Sequence, residues 1–281
     1  MFYDMHVHTS ASDGVLPVAE VLRQACRMGL PGIAITDHDT VEGLPAAWSC
    51  LETEQLDLEL ISGIELNTEV EDGEIHILGY FVDFQCRQLL KDLELIKAAR
   101  FERAQRMVAR LRDMGYAITF EQVQKLAQKD LIARPHVAMA LMEKGYVFSI
   151  REAFNKYIGR GRPAYVPRYR FTPEKAIDLI HAAGGISVLA HPGLLRQPKL
   201  VAQILDMGVE GLEVFYPEHT VQETGYFIAL AEQRGILVTG GSDFHGNPGE
   251  TWRNRLGYCG VNPDYMAKIR TYYSELNLKR Q

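Results

Sequence analysis

Seven short apolar runs punctuate the chain, at residues 2–7, 32–36, 58–66, 75–82, 185–190, 211–215 and 236–240. Each has the length of a strand, and most are followed by a stretch whose apolar positions recur at helical spacing. This alternation predicts a largely parallel β/α fold, because parallel neighbours need a crossover long enough to hold a helix. Helix start signals agree. Pro17 precedes VAEVLRQACRMG, and Thr172-Pro173 with Glu174 opens KAIDLIHAAGG; proline suits a first helical turn, where its missing N–H costs nothing.

Between about residues 89 and 165 the pattern changes. LLKDLELIKAARFERAQRMVARLRDMG reads as one long helix, followed by FEQVQKLAQ, RPHVAMALMEKG and SIREAFNKYIG, with no strand-like run among them. The expected organisation is a β/α core from residues 1–88 and 165–281, with 89–164 as an inserted all-helical subdomain. The core resumes near RPAYVPRYRFTPE, and the last dozen residues predict a terminal helix with a basic, frayed end.

Composition narrows the class. A chain of 281 residues suffices for one large α/β domain carrying an insert. Its 47% hydrophobic and 23% charged residues suit a soluble globular protein. No run approaches the roughly 18 apolar residues of a membrane span, and MFYDMHVH lacks the basic-then-apolar pattern of a signal peptide. A cytoplasmic protein with no membrane partner is expected. The net charge of -6 argues against coating long nucleic acid through a broad basic surface. It leaves room for a small anionic substrate held by a few arginines and metal ions. Cys26, Cys50, Cys86 and Cys259 are dispersed, with no CxxC pair, and read as reduced residues.

The chemistry-bearing residues gather at strand ends. In DMHVHTSASDG, His6 and His8 sit at i and i+2 of a strand, so both imidazoles leave the same face and can converge on one ion. His38 and two aspartates end the second run (ITDHDT), Glu65 ends the third (GIELN), and His76 lies early in the fourth (EIHILGY). His191 ends the fifth (LAHPG), and Asp243 and His245 follow the seventh (GGSDFHG). In parallel β/α folds, active sites are built at the C-terminal ends of strands. Imidazole and carboxylate donors without thiolate suit catalytic manganese, iron or zinc better than a closed structural zinc site. So many donors exceed the needs of one ion. Two or three ions are expected, with a carboxylate such as Glu65 bridging two.

The ordered set DMHVHTSASDG, ITDHD, GIELN, AHPG and GSDFHG resembles the successive motifs of the polymerase and histidinol phosphatase (PHP) family of the amidohydrolase superfamily. The resemblance covers the core segments and implies a distorted (β/α)7 barrel with the helical insert capping the substrate. It also implies three divalent ions, manganese favoured, with zinc or iron as alternatives. His6, His8, Glu65 and Asp243 would hold the first; Glu65 would bridge to a second held by His76 and His191; Asp13, His38 and His245 would hold the third.

The insert bears on substrate. IARPHVAMAL and YIGRGRPAYVP place Arg134, His136, Lys156, Arg160 and Arg162 in or beside glycine and proline breaks. Guanidinium groups bind phosphate bidentately, which makes these residues candidate clamps. Composition alone slightly favours a solvated basic surface. The resemblance reverses that preference, because ARPH and RPAYVP are similar to segments of the branch containing 3',5'-nucleoside bisphosphate phosphatases and the 5'-3' exoribonuclease RNase AM (TrpH-like proteins). His219 in FYPEHT is equally a substrate contact or an ordinary loop histidine, with Tyr216 beside it. His181, at helical spacing in IDLIHAAGG, is expected to be a packed or surface histidine, and EVEDGE a hairpin-like turn with solvated charges.

The expected reaction is removal of the 3'-phosphate from 3',5'-bisphosphorylated nucleosides such as pAp, by in-line attack of a hydroxide bridging two ions. Cleavage of short 5'-phosphorylated RNA at the same site is the alternative. Histidinol phosphatase activity ranks lower, and a non-catalytic metal-binding module lowest. The group that protonates the leaving ribose oxygen is unassigned, His219 and a metal-bound water being candidates. The sequence carries no signal of oligomeric state.

Overall fold

The computed structural model describes residues 2–70, 73–127, 132–167, 169, 171–246 and 255–280. Seven strands, β1 (Asp4–Val7), β2 (Gly32–Ile35), β3 (Glu59–Val70), β4 (Gly73–Tyr80), β5 (Ile186–Leu189), β6 (Gly211–Phe215) and β7 (Leu237–Gly240), pair in chain order into one curled sheet. Neighbours β1–β2, β2–β3, β5–β6 and β6–β7 are parallel. The sheet curls until Val7 bridges Phe244 just beyond β7, and the His8 N–H donates to the Phe244 carbonyl at 2.9 Å. The architecture is thus an α/β fold on a distorted seven-stranded barrel.

One element departs from strict β/α alternation. β4 runs antiparallel to both β3 and β5, and β3 continues past Leu66 to Val70 so that Asn67 faces His76 and Val70 faces Gly73. A connection this short leaves no room for a crossover helix, so the second strand must fold back on the first. Of the EVEDGE segment, Glu71 and Asp72 lie outside the described residues.

β1 shows how the strands serve core and site together. Met5 and Val7 are fully buried, Met5 in a cluster with Ala34, Ile61 and Met266. Asp4, His6 and His8 alternate onto the opposite face. Asp4 accepts hydrogen bonds from Ser242 N (2.8 Å), Ser242 Oγ (2.5 Å) and Gly257 N (2.8 Å), tying β1 to the segment after β7. Gly241 permits this approach, since a Cβ there would lie 2.3 Å from the Cβ of His6.

Ten α-helices follow in chain order among the described residues: α1 (Val18–Arg27), α2 (Leu44–Glu54), α3 (Arg87–Asp113), α4 (Phe120–Leu126), α5 (Arg134–Glu143), α6 (Ile150–Ala153), α7 (Pro173–Ala182), α8 (Pro198–Asp206), α9 (Val221–Arg234) and α10 (Pro263–Arg280). α7 starts as its sequence predicts, with Thr172 capping and proline in the first turn. None of them is long and apolar enough to cross a membrane. The four cysteines are free.

The chain divides into two compact units, Met1–Leu90 with Phe171–Gln281, and Lys91–Arg170. The second unit is helical and has its own core, with Val108, Leu111, Val123, Val137 and Leu141 all buried. Thr119 and Gln122 cap α4 reciprocally, and Ser149 caps α6. The chain then widens into a π-helical turn over Phe154–Ile158. Beyond it, the Arg103 Nε donates to the Val166 carbonyl at 2.8 Å, and Arg110 donates to the Tyr165 carbonyl.

Candidate metal centre

Nine side chains converge at one mouth of the barrel. His6 lies in β1 and His8 just beyond it; His38 follows β2, His191 follows β5, and Asp243 and His245 follow β7. Glu65 sits in β3 opposite Leu78 of β4. His76 stands near the start of β4, and because that strand runs antiparallel, its start lies with the C-terminal ends of its neighbours. An early-strand histidine therefore joins the late-strand donors. Asp13 belongs to a turn braced by Asp37, whose carboxylate accepts from Thr9 N (2.7 Å), Thr9 Oγ1 (2.7 Å) and Ser12 Oγ (2.6 Å).

Glu65 is the hub. Its Oε2 lies 3.2 Å from both His6 Nε2 and His8 Nε2 and 2.9 Å from His38 Nδ1. Its Oε1 lies 2.8 Å from His76 Nδ1 and 3.2 Å from His191 Nε2. Asp243 Oδ1 is 3.2 Å from His8 Nε2 and 3.5 Å from His6 Nε2. Asp13 approaches His245 Nε2 at 3.3 Å and His38 Nε2 at 3.8 Å. Three sets have donor atoms within 4.8 Å of one another: His6 with His8 and Asp243; His38 with Glu65 and His76; and His8 with Asp13, His38 and His245.

The donors fit divalent ions. His6 Nε2, both ring nitrogens of His8, Glu65 Oε2 and His191 Nδ1 are buried without a hydrogen-bond partner, although several lie within 3.2 Å of an opposite charge. Unpaired buried polar atoms are costly. Lone pairs that converge on shared points without hydrogen-bond alignment are the arrangement a metal ion satisfies. Burial alone would raise the Glu65 carboxyl, but the His38, His6 and His76 rings hold it well below the usual carboxylate range. Burial would likewise lower His8 and His76, yet the facing carboxylates dominate. Asp243 and Glu65 raise His8 to about 9, and Glu65 with Glu74 raises His76 to about 10. His191 and Asp243 have positive φ, 28° and 52°, a strained backbone common at functional sites.

A second layer surrounds these groups. Asp39 accepts from Asn67 N (2.8 Å) and Nδ2 (3.1 Å), so both aspartates of ITDHDT brace loops. Tyr216, a candidate substrate contact in the sequence, is buried and donates its hydroxyl to Asp243 Oδ2 at 2.9 Å. His219 has both ring nitrogens on backbone groups, Nδ1 on the Val214 carbonyl (2.8 Å) and Nε2 on the Gly193 N–H (3.1 Å). Glu213 escaped sequence reasoning. It is fully buried in β6, accepts from His6 Nδ1 at 2.9 Å, and accepts from His191 N at 2.7 Å. Its only signal was a lone acid inside the apolar run GLEVF.

The remaining candidates lie in the helical unit. Arg134 opens α5, with its guanidinium 5.0 Å from the Phe154 ring centre. His136 Nδ1 accepts from Ala133 N at 3.0 Å. Lys156 pairs with Glu152 at 2.6 Å, one helical turn away, and Arg160 and Arg162 are exposed in the turn that follows. His181, in the first unit, is half-buried and pairs with Glu210 at 2.6 Å, away from the donor set.

The fold is that of a recognised class. The PHP domain model matches residues 4–186, and the chain belongs to that family. The chain is 36% identical over 250 residues to the 5'-3' exoribonuclease Rnm of Escherichia coli strain K12, covering 87% of this chain and 85% of that protein. It is 32% identical over 282 residues to a 3',5'-nucleoside bisphosphate phosphatase of Chromobacterium violaceum, covering 98% and 96%. A crystal structure from Bifidobacterium adolescentis, assigned as a metal-dependent phosphoesterase, superposes with a TM-score of 0.82 at 30% identity, covering 96% and 95%.

Proposed function

We propose that the chain is a metal-dependent phosphoester hydrolase that removes the 3'-phosphate from 3',5'-nucleoside bisphosphates such as pAp, leaving the 5'-monophosphate. The observation that carries this reading is the Glu65 carboxylate, whose two oxygens face separate groups of imidazoles. His6, His8, Glu65 and Asp243 would hold one ion, Glu65 with His76 and His191 a second, and Asp13 with His38 and His245 a third. Manganese is the favoured ion in this reading, and the mixed imidazole and carboxylate donors also suit zinc or iron. Ions bound there supply Lewis acidity to phosphoryl oxygens and lower the pKa of a coordinated water.

The protein's own groups do the rest. Glu65, Asp243 and Asp13 offset the positive charge of the centre and keep the imidazoles oriented. Arg134, Lys156, Arg160 and Arg162, with His136, are the candidate hydrogen-bond donors to the phosphate oxygens of the substrate. Water oxygen bonds to phosphorus, the bond from phosphorus to O3' breaks, and O3' takes up a proton.

The relation to Rnm favours a second reading, 5'-3' cleavage of short 5'-phosphorylated RNA at the same site. A manganese-loaded preparation assayed for phosphate release from pAp and for nucleotide release from a 5'-phosphorylated RNA ranks the two. Absence of both activities in a protein of verified metal content would falsify the hydrolase assignment.

A further inference from the structure

β6 carries no group of the donor set, yet it and the turn after it touch the donors at several points. Glu213 Oε1 accepts from the ring of His6, Glu213 Oε2 accepts from the backbone of His191, and Tyr216 donates to Asp243. We propose that Glu213 is a positioning residue that fixes two metal positions relative to each other, by holding His6 and His191 with one buried carboxylate. The inference rests on the reading that His6 and His191 hold ions.

The argument is one of donors and acceptors. When His6 Nδ1 carries the proton it gives to Glu213, the neutral ring presents a bare lone pair at Nε2, the nitrogen facing Glu65 and Asp243. The His191 N–H that meets the other oxygen belongs to a residue with φ of 28°, and the hydrogen bond helps hold that strained backbone. Two N–H donors from β1 and from the loop after β5 thus meet two acceptor oxygens on one side chain. A glutamine of the same size has a single acceptor oxygen. Its amide must face either the His191 N–H, donor against donor, or the His6 ring. In the latter case the ring proton moves to Nε2 and the lone pair is lost. Tyr216 acts similarly on Asp243: holding Oδ2 leaves Oδ1 toward His6 and His8.

The test uses the full chain, stripped of metal and titrated with zinc against a chromophoric chelator. Glu213→Gln is expected to weaken zinc binding by about ten- to a hundred-fold, the usual cost of losing such a partner, with the metal-free melting temperature within a few degrees of wild type. Tyr216→Phe is expected to weaken it in the same direction and by less. In the zinc-loaded wild type, 15N NMR of the histidine rings is expected to show His6 protonated at Nδ1 and metal-bound at Nε2. This second measurement does not depend on the variant folding. Wild-type zinc affinity in Glu213→Gln, or His6 bound through Nδ1, overturns the inference while leaving the hydrolase reading intact. A wild-type chain that binds no zinc or manganese overturns both.

Discussion

Glu65 Oε2 lies 2.9 Å from His38 Nδ1, although the two residues belong to a strand and to the loop after its parallel neighbour. The contact places a carboxylate between imidazoles that would otherwise repel one another when charged. Glu65→Gln is therefore expected to reduce kcat by about a hundred- to a thousand-fold or more and to lower the bound-metal stoichiometry. Elemental analysis beside steady-state kinetics checks both, and a variant with full metal content and near-normal kcat contradicts the central role of Glu65.

Metal binding should expel protons. With His8 raised to about 9 and His76 to about 10, both rings are protonated at neutral pH in the metal-free protein and must lose those protons to act as ligands. Apparent affinity for manganese or zinc is thus expected to rise with pH from 6 to 8. Titration calorimetry in buffers of different ionisation enthalpy should show net proton release. A pH-independent affinity would count against imidazole ligation.

The turn bearing Asp13 depends on Asp37, which accepts three hydrogen bonds from Thr9 and Ser12. Asparagine at position 37 keeps one acceptor oxygen and turns an amide toward the remaining donors. We expect Asp37→Asn to cost roughly 1–3 kcal/mol of stability and to remove the ion nearest Asp13. Melting curves with metal counting separate the two effects, and unchanged stoichiometry would show that Asp13 is held without the brace.

The His181–Glu210 pair is a structural contact outside the centre. Burial raises the Glu210 carboxyl, but His181 and Ser187 outweigh it and hold the group below its ordinary range. A depressed carboxyl stabilises the fold above its unfolded pKa, and that contribution disappears as pH falls through the folded value. Glu210→Gln is expected to cost about 1–2 kcal/mol at pH 7, or a melting temperature lower by about 2–6 °C. The gap to wild type should narrow below about pH 4.5 while metal affinity stays unchanged. A gap that persists in acid would assign the loss to packing.

Most of the candidate donors were legible because they are polar interruptions at or near the end of an apolar run, where a buried histidine or carboxylate needs a reason; His76, early in its run, and Asp13, in a turn, were not marked in that way. The seven strands were legible for a similar cause, since apolar runs of five to nine residues, most of them followed by helical periods, leave few alternatives. Glu213 and Tyr216 were less so. One acid in GLEVF and one tyrosine after it have no meaning until His6, His191 and Asp243, distant in sequence, close around them.

The sequence by itself determined where the strands and the helical stretch between them fall and which residue types could serve as donors, because these follow from hydrophobic period and residue type. Only the tertiary structure decided the direction of β4, which brings His76 to the mouth of the barrel from the start of its strand. It alone also decided the approach of β1 to β7 past Gly241 and the partner of each ring nitrogen. Those features depend on which backbones meet across the closed sheet, and a local pattern of apolar and polar residues carries no record of its distant neighbours.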